Sequence, residues 1–208
     1  MLRRHSVYNP FQWDLVLETT EYEIEIKTDR LILRHFNAGD VDDVFEYSDD
    51  PEFARFLDTP QPFTRRDAEK WVAKQVLTPW DTTPMFAIQF EGKVIGFIKL
   101  NVEKKHNRAH MAYGLSKSYW GKGIVPEAAN AMLDWGFGEL GLDKIFAGAD
   151  GENVQSQRVM EKMGMIREAY LKSHIIARNG RSTQVTYGIL RDEWSAIRKN
   201  RYLCTSLS

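Results

Sequence analysis

A single cysteine, Cys204, leaves the 208-residue chain unable to close an internal disulfide, and a lone thiol fits a reducing compartment. No apolar run approaches the ~20 residues that a membrane-spanning helix needs. The opening MLRRHSVYNPFQWDLVL is basic but has no continuous apolar stretch behind it, so it does not read as a secretory signal. Neither charge is in excess. The 28 Lys and Arg against 29 Asp and Glu argue against a broad basic face for nucleic acid. Internal repeats, low-complexity tracts and Gly/Ser/Pro-rich linkers are also missing. The expectation that remains is a soluble, cytoplasmic, globular chain with no membrane or nucleic-acid partner, long enough for one sizeable domain.

What is present becomes regular after residue 26. Residues 1–26 fit least well with the rest and read as an extension; a domain over 27–200 and a tail over 201–208 follow. Leu31 and Leu33 mark a short strand. The segment NAGDVDDVFEYSDDPEFARFL (37–57) is predicted helical from the spacing of Val41, Val44, Phe45 and Tyr47, with Pro51 breaking or restarting it. Its acidic residues predict a solvated face. Thr64 is placed to cap a helix over 65–77. Strands are predicted at 85–91 and 93–103, joined by a Glu91–Gly92 turn, and at 106–115. Residues 125–140 read as a helix with Val125, Ala128, Ala129, Met132 and Trp135 or Gly136 inward, and Pro126 suits its first turn. A strand (143–150), a helix stopped by Gly164, a strand (165–176), an Asn179–Gly180 turn, a strand (182–190) and a last helix (191–200) complete the domain.

An antiparallel run followed by a strand–helix–strand crossover predicts an α/β (α+β) domain. Its sheet is mixed and mostly antiparallel, with about seven strands flanked by helices. The crossover makes 106–115 and 143–150 parallel neighbours, and a ligand is expected at their carboxyl ends. There the chain reads YWGKGIVPEA (119–128). A Walker loop would need Lys then Ser or Thr after its last glycine, but Lys122 lies between Gly121 and Gly123, and Ile124 follows. A dinucleotide fingerprint would need a third glycine where Pro126 stands. What is left is a set of bare N–H groups at a helix N-terminus, a device for a pyrophosphate.

YWGKGIVPEA, NVQSQRVMEKMGM (153–165) and VTYGILRDEW (185–194), in that order, resemble the GCN5-related N-acetyltransferase (GNAT) superfamily and its RimJ/RimL-like ribosomal-protein alanine acetyltransferase branch. The likeness covers residues 27–198. Ser118 departs from the Gln or Arg that opens the superfamily's loop. The resemblance implies a splayed pair of central parallel strands and acetyl-CoA as co-substrate, with no metal. It implies that amides of Trp120, Gly121, Lys122, Gly123, Ile124 and Val125 hold the pyrophosphate. Leu115 and Ser116 would pair with the pantetheine arm and aim an N–H at the thioester oxygen. Asn153 would bond the coenzyme from the other side, and Ser156 would stand by the sulfur as proton donor to the thiolate. An amine acceptor is implied, on a protein N-terminus or a small molecule, and a homodimer is typical of the family.

Acetyl transfer to an amine needs a neutral nitrogen, a donor for the developing oxyanion and a thiolate that can leave. Tyr113 and Glu127 are the further catalytic candidates, though Glu127 also suits the helix dipole. RimL-like enzymes suggest a carboxylate in the strand after 165, where Ile175 stands. His106 and His110 read as one face of a strand at a spacing too long to share a metal. Ser116 and Ser118 lack a G-x-S-x-G elbow. Two alternatives stay open: a catalytically silent coenzyme A-binding module, and a phosphate-loop nucleotide binder.

Overall fold

The computed structural model describes residues 24–57, 59–177 and 180–205. Most of the extension, the first half of the Asn179–Gly180 turn and the end of the tail lie outside them. One sheet contains β1 (Ile26–Lys27), β2 (Leu31–Arg34), β3 (Met85–Phe90), β4 (Lys93–Glu103), β5 (Arg108–Leu115), β6 (Lys144–Asp150), β7 (Ile166–Ala177) and β8 (Gly180–Leu190). Their spatial order is β1-β2-β3-β4-β5-β6-β8-β7, and β5–β6 alone among the neighbouring pairs is parallel. The eighth strand is β1, two residues too short for any periodicity to reveal. It pairs Ile26 with Leu33, so the sheet begins before the expected boundary at residue 27. The helices are α1 (Val41–Ser48), α2 (Pro51–Ala54), α3 (Arg65–Leu77), α4 (Ile124–Gly138), α5 (Val154–Lys162) and α6 (Arg191–Thr205). The last runs five residues into the expected tail.

Local chemistry explains most boundaries. Thr64 and Asp67 form a reciprocal capping box that starts α3. Asp50 caps α2 and Pro51 opens it, so the proline restarts the helical segment. Glu91 and Gly92 both have positive φ (49° and 84°), the backbone of the tight turn that matches strand twist. In α4 the predicted inner face is buried at Val125, Ala128, Ala129, Met132 and Gly136, and Leu133 and Phe137 join it. Trp135 is half-buried, its ring edge-on to Phe86 at 5.4 Å. His106 belongs to a short 3-10 turn outside β5, so it does not share a strand face with His110.

Alternation along the strands sorts side chains into two layers. On one face Ile88, Ile98, Leu100, Ala109, Met111, Ile145 and Ala147 pack under α4, α5 and α6. On the other, Ala87, Val94 and Phe97 pack under α1, α2 and α3. Among the described residues no helix is long and apolar enough to cross a membrane.

Candidate active site

The two layers meet at a break in the sheet. β5 and β6 pair only from Arg108↔Lys144 to Met111↔Ala147. Beyond that level β5 stays with β4 to Leu115 and β6 stays with β8 to Asp150, so the parallel strands part. The ladders show what lines the gap. Ser116 N–H donates to the Ile95 carbonyl at 2.8 Å, which makes Gly96↔Leu115 a non-hydrogen-bonded pair in its antiparallel ladder. The peptide groups of Tyr113 and Leu115 therefore turn away from β4 and into the gap. By the same logic, Gly151 N–H bonded to Thr183 at 2.8 Å turns the peptide of Gly148 into it from β6. Of Leu115 and Ser116, the strand end expected to aim an N–H at a thioester, Ser116 has its N–H engaged by β4, and the Leu115 N–H faces the gap. The Leu115 carbonyl accepts the Trp120 indole N–H at 2.8 Å, which ties the strand end to the loop after it.

That loop turns at Gly121 and Gly123, with φ of 74° and 76°. Only glycine takes this conformation without cost, and a Cβ at Gly121 would meet nothing within 4 Å. Gly123 caps α4 without any side-chain bond, and the N–H groups of Gly121, Lys122 and Gly123 have no partner among the described residues. The Trp120 N–H, expected to join them, is bonded instead to the Lys117 carbonyl at 3.1 Å. The Lys122 side chain lies off the cavity, with Nζ 5.0 Å over the Tyr119 ring.

A cavity of about 590 Å³ runs through the gap, lined by Leu115, Trp120, Gly121, Gly123, Ile124, Val125, Asn153 and Ser156. Ser116 is not in its wall. Inside it the Tyr113 hydroxyl stands 2.7 Å from Ser156 Oγ and 3.3 Å from the Ser156 carbonyl. Burial pushes the phenol up to about 12, against a smaller opposing pull from the Ser156 hydrogen bond. The phenol is thus held as a hydroxyl, not as a phenolate base. Asn153 Oδ1 caps α5 by accepting Ser156 N–H at 3.0 Å, which fixes the serine at the first turn and leaves the Asn153 amide N–H₂ for other partners.

Glu127 lies outside the cavity wall. Its carboxylate accepts Thr28 Oγ–H at 2.6 Å, Arg30 N–H at 3.0 Å and Arg30 Nε–H at 2.7 Å. Partial burial alone would raise this carboxyl, but the Thr28 and Arg30 bonds outweigh it and hold it below its usual range. Glu127 straps α4 to the chain before β2, and a catalytic role does not fit that geometry. Ile175, on β7, is partly exposed and pairs with Ser182. Among the described residues no group of His, Cys, Asp and Glu is placed to hold a metal ion.

A sheet parted between two parallel strands, with a capless helix N-terminus at one end of the gap, leaves unpaired peptide groups along both sides of one cavity. Residues 30–166 match the family described as the acetyltransferase (GNAT) domain, and the chain belongs to that family of acetyl-CoA-dependent acyltransferases. It is similar to the uncharacterized N-acetyltransferase YnaD of Bacillus subtilis (strain 168), 32% identical over 173 residues, which span 83% of this chain and 100% of that protein. A GNAT-family acetyltransferase structure from Bacillus anthracis is 31% identical, with a TM-score of 0.73 over 81% of this chain and 99% of that one. The ribosomal-protein-S5-alanine acetyltransferase of Vibrio fischeri shares the fold at 20% identity, with a TM-score of 0.72 over 83% of this chain and 99% of that one.

Proposed function

We propose that the protein transfers the acetyl group of acetyl-CoA directly to a primary amine, on a protein N-terminus or a small molecule, within a ternary complex. The observation that carries this reading is the Tyr113–Ser156 hydroxyl pair standing inside the gap where β5 and β6 part. The pyrophosphate is assigned to the open amides from Gly121 to Val125, where N–H groups and helix dipole favour an anion. The pantetheine arm is assigned to the Leu115 edge, with the Asn153 amide as its donor from the α5 side. The Leu115 N–H meets the thioester oxygen as it gains charge. The amine nitrogen bonds to the carbonyl carbon and the C–S bond breaks. Of the two protons an ammonium loses, one ends on the thiol and one goes to solvent. Tyr113 and Ser156 donate hydrogen bonds to the departing sulfur.

The second reading, a silent coenzyme A-binding module, draws on one observation: the only carboxylate the sequence put forward, Glu127, is engaged elsewhere. The test is calorimetric titration with acetyl-CoA, with ATP and NADH as controls, of the protein and of Gly123→Trp. A Cβ at Gly123 has only Arg30 Nη2 near it, at 3.6 Å, so the fold is expected to tolerate the change. Positive φ costs a non-glycine residue ~1–2 kcal/mol and disturbs the loop amides. Acetyl-CoA affinity is expected to fall at least 100-fold with the circular dichroism spectrum kept. Unchanged affinity sinks the assignment. Selective binding without transfer to any of a panel of amines would establish the silent module instead.

A further inference from the structure

The gap has two mouths, one on each face of the sheet. Tyr113 alternates with Ala109 and Met111 toward the α4–α5 face, and there it meets Ser156. Asp150 alternates with Ala149 and Ala147 and so points to the opposite face, the one covered elsewhere by α1 to α3. It lines the same cavity at the carboxyl end of β6, together with Gly148 beneath it and Phe53, Phe56 and Glu52 of the α2 region. A nucleophile entering by this mouth reaches the gap from the side away from the hydroxyl pair.

Asp150 is half-buried and its partners are neutral. Oδ1 accepts the Glu152 N–H at 2.8 Å, and Oδ2 accepts a hydrogen bond from the Ser182 hydroxyl. No cation pairs with it among the described residues. Of the other charges in the cavity wall, Arg55 and Glu52 offset each other, with Arg55 Nη1 3.9 Å from Glu52 Oε2; Glu152 lines it beside Asp150, and Arg158 and Lys162 line it from α5. On the same sheet face Lys99 stands level with Ala112, which lines the cavity, and His110 lies two pairs further back, its imidazole pushed below its ordinary value by burial and by Lys99. Asp150 is the carboxylate of this wall that hydrogen bonds from neutral donors fix in place at the end of β6. Ser182 also pairs across β8 with Ile175, the position where a carboxylate was sought and not found. The acid stands two strands away, on β6.

We propose that Asp150 receives the ammonium group of the acceptor at this second mouth, oriented by Ser182, and so selects alkylamines that are cationic at neutral pH over amines that are neutral there. This rests on the acetyl-transfer reading. An ionised carboxylate held by neutral donors keeps lone pairs for a charge-assisted N–H bond, the interaction that best tells ammonium from a neutral amine. A purely structural Asp150 would only shape the β6–α5 turn through its bond to Glu152. Asp150→Asn separates the two, because the amide oxygen still accepts from Glu152 while the charge is lost.

The experiment titrates n-butylammonium chloride into coenzyme A-saturated protein and follows the ¹⁵N–¹H signal of Glu152, with sodium chloride and n-butanol as controls. Wild type is expected to show a saturable shift that sodium chloride and n-butanol do not produce. Asp150→Asn is expected to bind n-butylammonium at least 10-fold more weakly, and Ser182→Ala to weaken it less. Acetylation of n-butylamine is expected to show the same split in KM, while hydroxylamine, neutral at pH 7, is acetylated equally by wild type and Asp150→Asn. Equal n-butylammonium titrations in wild type and Asp150→Asn would overturn the proposal, as would a variant unable to acetylate either acceptor. Coenzyme A saturation, measured first by calorimetry, reports separately on the underlying reading: its failure would sink that reading and this proposal with it.

Discussion

Replacing Tyr113 with phenylalanine keeps the ring in its packing and removes one oxygen. The phenol is pushed up to about 12, chiefly by burial. A coenzyme A thiol resembles cysteine, near pKa ~8.5. Full proton transfer from the phenol to the leaving thiolate would thus run uphill by about 3.5 units, or ~5 kcal/mol. That is too costly for a stoichiometric acid, and it is why Tyr113 and Ser156 are cast as hydrogen-bond donors to the sulfur. A hydrogen bond to a charged partner contributes ~1.5–3 kcal/mol. Tyr113→Phe should accordingly lower kcat by about 10- to 150-fold, with acetyl-CoA affinity little changed. The assay is chromogenic detection of released thiol, with the best acceptor of an amine panel, from pH 6 to 9.5. The phenol stays protonated throughout that range, so the two pH profiles should run parallel. Retention of kcat within twofold would refute the reasoning. So would a limb of the wild-type profile that vanishes in the variant, because it would make Tyr113 a titrating base.

Two further changes probe the frame around the gap. Glu127 is held below the usual 4.5, so its stabilising effect is present above that pH and disappears as pH falls through the folded value. Glu127→Gln should lose ~1.5–3 kcal/mol at neutral pH, seen as a lower Tm, and should lose less than wild type on going from pH 5 to 3; parallel acid limbs would contradict the strap. Gly96→Ala would drive a Cβ against the Gly114 carbonyl and to 3.0 Å from Leu115 Cα, backbone atoms that cannot swing aside. A cost at the upper end of ~1–3 kcal/mol is expected in urea unfolding, and a cost below 0.5 kcal/mol would show that β4 and β5 are not rigidly apposed beside the site.

What could be read in advance was what short-range chemistry decides. Thr64 announces α3 because its cap partner, Asp67, is three residues away, and Glu91–Gly92 announces a turn for a similarly local reason. The α4 inner face follows from helical spacing. The parting of β5 from β6 was implied by the family likeness, but no residue marks its level, because a ladder ends where neighbours recruit each strand's peptides. Glu127 looked like a dipole partner since Thr28 and Arg30 lie 99 and 97 residues earlier in the chain. The amides of Trp120 and Ser116, expected to be free, are consumed by a local bond to Lys117 and a cross-strand bond to Ile95. Asp150 carries no site signal of its own, because its orienting partner Ser182 is 32 residues away. Its place at the last residue of a strand predicted parallel to its neighbour was the available signal.

Mechanically, the sheet is two leaves bound along a short spine. β1 to β5 form one leaf and β6 to β8 the other, stitched by the pairing of Arg108–Met111 with Lys144–Ala147. Past the spine each leaf presents a fraying margin, Tyr113 and Leu115 opposite Gly148, whose peptide groups find no strand to answer them. An extended chain laid between those margins is sewn to both leaves. On the acetyl-transfer reading proposed above, the substrate arm would be, for the length of its stay, a ninth strand of the protein that consumes it.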